Sequence, residues 1–365
     1  MITVNLKPRF VFLGIHIEDP NHIEFDKVFL NFSNIDHWIS PIHDLIPEPS
    51  NGRAYHSPWI SIHQECRIQV TSLTKTHKEG SKRVRENNIR FTVESLGDRS
   101  LDNYLNLEGK VRDFLNFVIN KGVVLQSFQG LYRKGSNSTP FTLLFHSSIT
   151  EKMHKVTIKS PYLLSYVDVS HQFEDILKRW FKLYAENKII MDLYFGVIYN
   201  TQSYLLNSFL MLFTALEAYH VVFLEKHSEK KKEKESFGNN LIQKVEKFDF
   251  LKNEKDKLKD FIKNFGKNLS SRERIEEIYD QFAHFLPVLS SKIETRNKFI
   301  RKIVDIRNDL VHGNVHPEDL DKDNGLFWQC KNLQLMLQLC ILSKIGFNNQ
   351  QIKKIYLLDK ITKTQ

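Results

Sequence analysis

Residues 299–313 read Phe-Ile-Arg-Lys-Ile-Val-Asp-Ile-Arg-Asn-Asp-Leu-Val-His-Gly. Within them Phe299, Ile300, Ile303, Val304, Leu310 and Val311 recur at helical spacing and define one apolar face. Arg307 falls in phase with Ile300, Ile303 and Leu310, so a permanent charge stands where an aliphatic side chain is expected. A guanidinium in that position needs a partner or a task. His312 follows one turn after Asn308, and Gly313 is a natural stop signal. An arginine, an amide and an imidazole at one helix end have the groups needed to bind and cleave a phosphodiester.

The same periodicity runs through the second half of the chain. His171 to Phe195, Tyr204 to Leu224, Asn240 to Phe265, Arg272 to Leu289, Ser290 to His312 and Pro317 to Leu342 are all predicted as helices. The first half reads differently. Arg9 to Ile17, Lys27 to Phe32, Ser57 to Gln69, Ile89 to Glu94, Val123 to Tyr132 and Pro140 to His146 are short runs of β-branched and aromatic residues. Turn formers separate them at 19–21, 47–52 and 135–138. One helix interrupts this region, over Leu101 to Ile119, closed by Asn120-Lys121-Gly122. The expectation is an α+β chain: a β-rich domain carrying one helix over 1–166, then a helical domain over 167–365.

At 365 residues there is material for two cores. A net charge of +9 favours an anionic partner through long-range attraction. Much of the excess is local, since between Lys226 and Lys267 about 13 lysines face about 8 acids. The run Lys226 to Gly238, with Lys230, Lys231, Lys232 and Lys234, is expected to be a solvated, mobile loop, with an RNA-backbone contact as the alternative. Cys66, Cys330 and Cys340 are odd in number and lack metal spacing, which favours a reducing compartment. The first residues carry no basic region followed by an apolar run, so no signal peptide is expected and the placement is cytoplasmic. Tyr204 to Leu224 is the most apolar segment, but Asn207, Ser208, Glu217 and His220 make it a buried helix rather than a membrane span. His37 with His43, and His56 with His63, are too loosely spaced to assign a metal. Gly109 and Gly122 stand alone, which argues against a nucleotide hydrolase. The 27 phenylalanines are spread over both halves and read as core.

Arg307 and His312 are five apart, about 140° around a regular helix, so they do not share a face automatically. Asn308 and His312, four apart, do. Glu217 is the only charged residue from Tyr204 to Leu224 and is the expected carboxylate partner of Arg307. The competing readings are a structural Arg307–Glu217 pair and a helix-capping His312. Tyr219 and His220 read as helix packing, with an RNA groove as the lesser alternative.

These residues carry a resemblance. The chain resembles the HEPN proteins, specifically the ApeA-like group of bacterial anti-phage proteins. Their mark is an arginine followed by a polar residue, with a histidine four to six positions later on a helix of an all-α domain. Here those are Arg307, Asn308 and His312. Thr295-Arg296-Asn297 and Leu216-Glu217-Ala218 also fit, and Leu107 to Phe117 resembles the group's N-terminal domain.

The resemblance implies a metal-independent endoribonuclease of abortive-infection type, without cofactor, whose arginine–histidine motifs meet across a homodimer. Arg307, Asn308 and His312 would be catalytic and Glu217 supporting. Host tRNA is the implied RNA substrate. A phage-derived protein is the implied trigger, sensed or relayed by the N-terminal domain, and no membrane partner is implied. Two rivals stand beside this reading: a non-catalytic dimeric scaffold that binds RNA or a partner, and a helical domain that binds a nucleotide signal.

Overall fold

The computed structural model describes residues 9–17, 23–39, 55–79, 82–120, 122–145, 163–200, 203–283, 295–313 and 325–363. The chain divides into two compact units, Met1–Tyr184 with Leu358–Gln365, and Ala185–Leu357. The α+β class holds: an antiparallel sheet with helices comes first, followed by a helical unit.

In the first unit, strands β1 (Phe10–Leu13), β2 (Phe25–Phe32), β3 (Tyr55–His56), β4 (Ile60–Ile62), β5 (Cys66–Glu79), β6 (Lys82–Ser95), β7 (Leu125–Lys134) and β8 (Asn137–Phe145) form one sheet. Its order is β1-β8-β7-β2-β6-β5-β3, with β4 on β5. In β2, Val28, Leu30 and Phe32 alternate onto the buried face. A register shift between Phe25 and Lys27 returns Phe25 to that face as well.

Helix α2 (Leu101–Ile119) packs on the sheet. Ser100 caps its start by accepting the Asn103 N–H at 3.3 Å. Asn120 ends it in the left-handed region, φ 54°. Tyr104 staples helix to sheet: its hydroxyl accepts from Ser95 N at 3.1 Å and donates to Asp26 O at 3.0 Å. The following turn is held by Asn116, which donates to Val123 O at 3.0 Å and accepts from Val123 N at 2.8 Å.

Around α2 lies an aromatic layer. Phe114 meets Trp38 from the short helix α1 (Ile35–Ile39), and meets Trp180 at 5.5 Å between ring centroids. Trp180 belongs to α4 (Phe173–Glu186), which follows the single turn α3 (Tyr166–Val169), and its indole donates to Lys110 O at 3.0 Å. This layer belongs to the unit that runs to Tyr184. The change from strand to helix composition precedes the change of core.

Two strand expectations are revised. Ser57 to Gln69 is not one strand: a tight turn with His63 at φ 45° separates β4 from β5. The β5–β6 hairpin also runs well past the apolar segment, from Cys66↔Ser95 out to Glu79↔Lys82. Backbone pairing continues there without an apolar pattern to announce it. The turns at 19–21 and 47–52 lie outside the described residues.

The helical unit contains α5 (Lys188–Tyr199), α6 (Leu205–Phe223), α7 (Glu229–Lys247), α8 (Lys252–Lys267), α9 (Ser271–Gln281), α10 (Arg296–His312), α11 (Gly325–Lys344) and α12 (Asn349–Lys363) as far as Leu357. Asn187 breaks the helix expected over His171 to Phe195, at φ −144°. Helix α11 is buried on most of its circumference, with Leu333, Met336, Leu337 and Cys340 inaccessible. Against it packs α6, which also contacts α5 and α9. By length and apolarity α6 could cross a bilayer; here Phe209, Leu212, Leu216 and Tyr219 sit in the core of the bundle.

The lysine-rich run is a correction. It is not a loop: Ser228 caps α7 by accepting the Lys231 N–H at 3.1 Å, and the helix runs unbroken to Lys247. Its self-repulsion is offset by acids, most of them from outside the helix. Lys230 meets Glu276 at 2.5 Å, Lys231 meets Glu225 at 3.3 Å, Lys232 meets Glu229 at 2.6 Å and Lys234 meets Glu273 at 3.1 Å. Residues 248–251 then separate α7 from α8, dividing the single helix expected over Asn240 to Phe265.

Candidate functional site

Helix α10 is anchored at its start and released at its end. Arg296 forks onto Asp280 of α9, Nε to Oδ1 and Nη2 to Oδ2, both at 2.6 Å. The hydrogen bond to Asp280 holds the guanidinium pKa above its usual value. One turn later Phe299 lies 6.0 Å from the Tyr279 ring. Phe299, Ile300, Ile303, Val304 and Ile306 are buried, as a helical stripe requires.

The stripe then leaves the core. Arg307, Asn308 and Leu310 are half-buried, Val311 is 54% exposed and His312 is exposed. This differs from the expectation that Leu310 and Val311 continue the buried face. Gly313 takes φ 71° and returns its N–H to Asp309 O, so the helix stops where its composition predicts.

Arg307 therefore sits at the rim of the apolar stripe. Its Nη1 donates to Asn308 Oδ1 at 3.2 Å. Among the described residues it has no carboxylate partner, whereas Arg296 and Arg301 of the same helix meet Asp280 and Asp305. The expected Arg307–Glu217 pair is not formed. Glu217, half-buried on α6, instead accepts the Ser271 hydroxyl of α9 at 2.5 Å. The carboxylate is satisfied by a neutral donor, and it ties α6 to the helix on which α10 is anchored. The consequence is a guanidinium held at the end of α10 with no carboxylate on it among the described residues. Such a group can take an anionic oxygen from a ligand.

The other candidates fall elsewhere. His220 is fully buried, with Nε2 2.6 Å from Glu277 Oε2, and Ser228 donates to the other Glu277 oxygen at 2.6 Å. Tyr219 is buried beside it, and burial raises the pKa of its hydroxyl. Both are packing residues, as their spacing predicts. Lys230, Lys231, Lys232 and Lys234 are committed to the ion pairs of α7. Of the two histidine pairs, His63 is exposed on the β4–β5 turn and His56 lies on β3, its Nδ1 3.1 Å from Thr71 Oγ1. The His37 side chain and His43 lie outside what is described.

What sequence reading missed is the anchoring set. Arg296 reads as part of a lead-in motif, yet its fork to Asp280 orients the helix. Ser271 carries no sequence signal beyond following a helix cap. Residues 16 and 54 positions apart meet only through the packing of α6, α9 and α10.

Residues 210–351 match the family model described as Apea-like HEPN, and residues 1–180 match ApeA N-terminal domain 1. No curated protein and no solved structure matches the chain.

Proposed function

Because the chain is an ApeA-like HEPN protein, an anti-phage defence protein of the HEPN superfamily, we propose that its helical domain is a metal-independent RNA endonuclease. In this reading Arg307, Asn308 and His312 form the active site. The observation that carries it is the state of Arg307: held at the end of α10, hydrogen-bonded to Asn308, and lacking a carboxylate among the described residues. His312, exposed at the last helical position, supplies a proton carrier within reach of solvent and ligand.

The chemistry needs no external nucleophile. The ribose 2′-hydroxyl attacks the adjacent phosphorus, forming the O2′–P bond while the P–O5′ bond breaks. An imidazole takes the 2′ proton and an imidazolium delivers one to the departing 5′ oxygen, leaving a 2′,3′-cyclic phosphate and a 5′-hydroxyl. Arg307 neutralises the charge that builds on the non-bridging oxygens. Asn308 orients either the guanidinium or a phosphate oxygen. Two proton carriers are required, so the proposal includes a homodimer in which a second copy brings its own His312. Host tRNA is the proposed substrate, with a phage-derived protein acting through the N-terminal domain as the proposed trigger. The net charge of +9 supports an anionic substrate. Glu217 acts as a positioning residue, through Ser271 and α9.

The test is cleavage of total tRNA by the purified protein in EDTA. Termini are mapped, alongside total RNA from phage-challenged cells carrying wild type, Arg307→Ala or His312→Ala. The expected result is 2′,3′-cyclic phosphate ends that disappear in both variants. Equal cleavage by all three proteins overturns the assignment.

A further inference from the structure

Exposed apolar side chains are concentrated on the α7–α8 hairpin. Phe248, Phe250, Leu251, Leu258, Phe261 and Phe265 are all open to solvent, with Leu251 at 73% and Phe261 at 69%. Single exposed apolar residues need no explanation; a cluster does. Helix α8 gives the cluster a pattern. Leu258 and Phe265 are seven residues apart and in phase with the N-cap Leu251, and Phe261 lies three beyond Leu258, so the four fall within about 80° of arc, with Glu254 among them turned back to accept the Leu251 N–H at 3.3 Å. Of the apolar side chains of α8, only Ile262 is buried. This is one seam of a helix–helix contact without its second helix.

Charge decides the kind of partner. Between Glu229 and Lys267, 12 lysines stand against 8 acidic residues. The lysines of α7 are largely spent on Glu225, Glu229, Glu273 and Glu276. Those of α8 are less so: Lys259 pairs with Glu246 and Lys255 donates to the Glu246 carbonyl at 3.4 Å beside the same carboxylate, but Lys257 and Lys263 have no carboxylate partner among the described residues. Lys255 and Lys257 flank Leu258 at the positions that pair across a two-helix seam. A second copy would bring one cationic rim against another. A phosphate backbone would leave the apolar seam itself without a partner, whereas the apolar stripe of a second helix covers it.

We propose that the Leu251–Phe265 face of α8 docks an amphipathic helix with acidic flanks, supplied by a protein partner. The inference is independent of the nuclease reading. The hairpin is well placed to report such an event: Lys230 and Lys234 tie it to Glu276 and Glu273 of α9, and Glu276 also faces Arg296 of α10 at 4.0 Å.

The test uses the full chain and a labelled synthetic peptide of about three heptads, with Leu at the seam and Glu at the flanks. Fluorescence anisotropy should show binding that weakens in about 0.5 M salt. Affinity should fall roughly tenfold or more in Phe261→Ser/Phe265→Ser, whose fold is checked by circular dichroism. The reversal Lys255→Glu/Lys257→Glu should shift preference to a peptide with Lys flanks. No binding, or equal binding of both peptides by wild type, overturns the proposal. Two further outcomes also overturn it: capture of single-stranded RNA that depends on Phe261 and Phe265, and a sedimentation mass that falls in the serine variant, which would assign the face to a second copy.

Discussion

Replacing Arg307 with alanine separates a side chain that supports the fold from one that serves a ligand. In the structure Arg307 is half-buried, and among the described residues its one hydrogen bond is to the neutral Asn308 amide oxygen, at 3.2 Å. Removing a partly solvated bond of that kind costs about 1 kcal/mol, and alanine is no worse a helix former. For a unit of this size that is a melting shift of about 2–4 °C. If the guanidinium stabilises the phosphoryl oxygens in the transition state, its loss removes roughly 2.7–4 kcal/mol from that state, about a hundred- to thousandfold in rate. The two effects differ enough to be read from one preparation, by differential scanning calorimetry and single-turnover tRNA cleavage. A variant that cleaves within about twofold of wild type would refute the catalytic role. A fall in melting temperature above about 8 °C would show that the residue is structural, contrary to its open position.

Four further outcomes follow from the geometry. Arg296→Met removes the fork to Asp280 and should cost the helical unit roughly 1–2 kcal/mol in urea titration, the pair being partly exposed; an Asp280→Asn double-mutant cycle with no coupling would contradict it. Burial raises the Glu108 pKa from 4.5 to about 7, despite Arg112 3.2 Å away. The folded state then binds more protons than the unfolded one between those values, so stability falls by about 3 kcal/mol as pH rises through that window; Glu108→Gln should abolish this slope in pH-dependent denaturation. Burial also pushes Glu273 and Glu276 up, but hydrogen bonds, chiefly from Ser270 and Lys230 respectively, outweigh it and hold both below the usual range. Their contribution is present above the ordinary carboxylate pKa and lost as pH falls through the depressed values, so hydrogen exchange in α7 should accelerate there before it does in α11. Burial raises the thiols of Cys66 to about 12 and of Cys330 to about 11, and raises Cys340 as well, so a thiol reagent at neutral pH should label none of the three until the protein is denatured.

Much of this was legible in the sequence because it is local. The span of α2, its close at Asn120, the stop at Gly313 and the apolar stripe of α10 from Phe299 to Val304 all follow from spacing and cap chemistry within one or two turns. So does the α+β division, which rests on periods of 2 and 3.6. Periodicity also singled out Arg307 as a misplaced charge. The same reasoning failed wherever a long-range partner decided the outcome. The lysine-rich run reads as a loop because its charges repel, and it is a helix because Glu273 and Glu276, some forty residues away, offset that repulsion. Glu217 reads as the partner of Arg307 because both are charges in apolar helices, yet packing offers it Ser271 first, and Arg307 meets no carboxylate among the described residues. Trp180 finds its place on α2, 70 residues before it in the chain, through its bond to Lys110 O. In each case the one-dimensional pattern states what a side chain requires, and only the assembled helices and sheet determine which group meets that requirement.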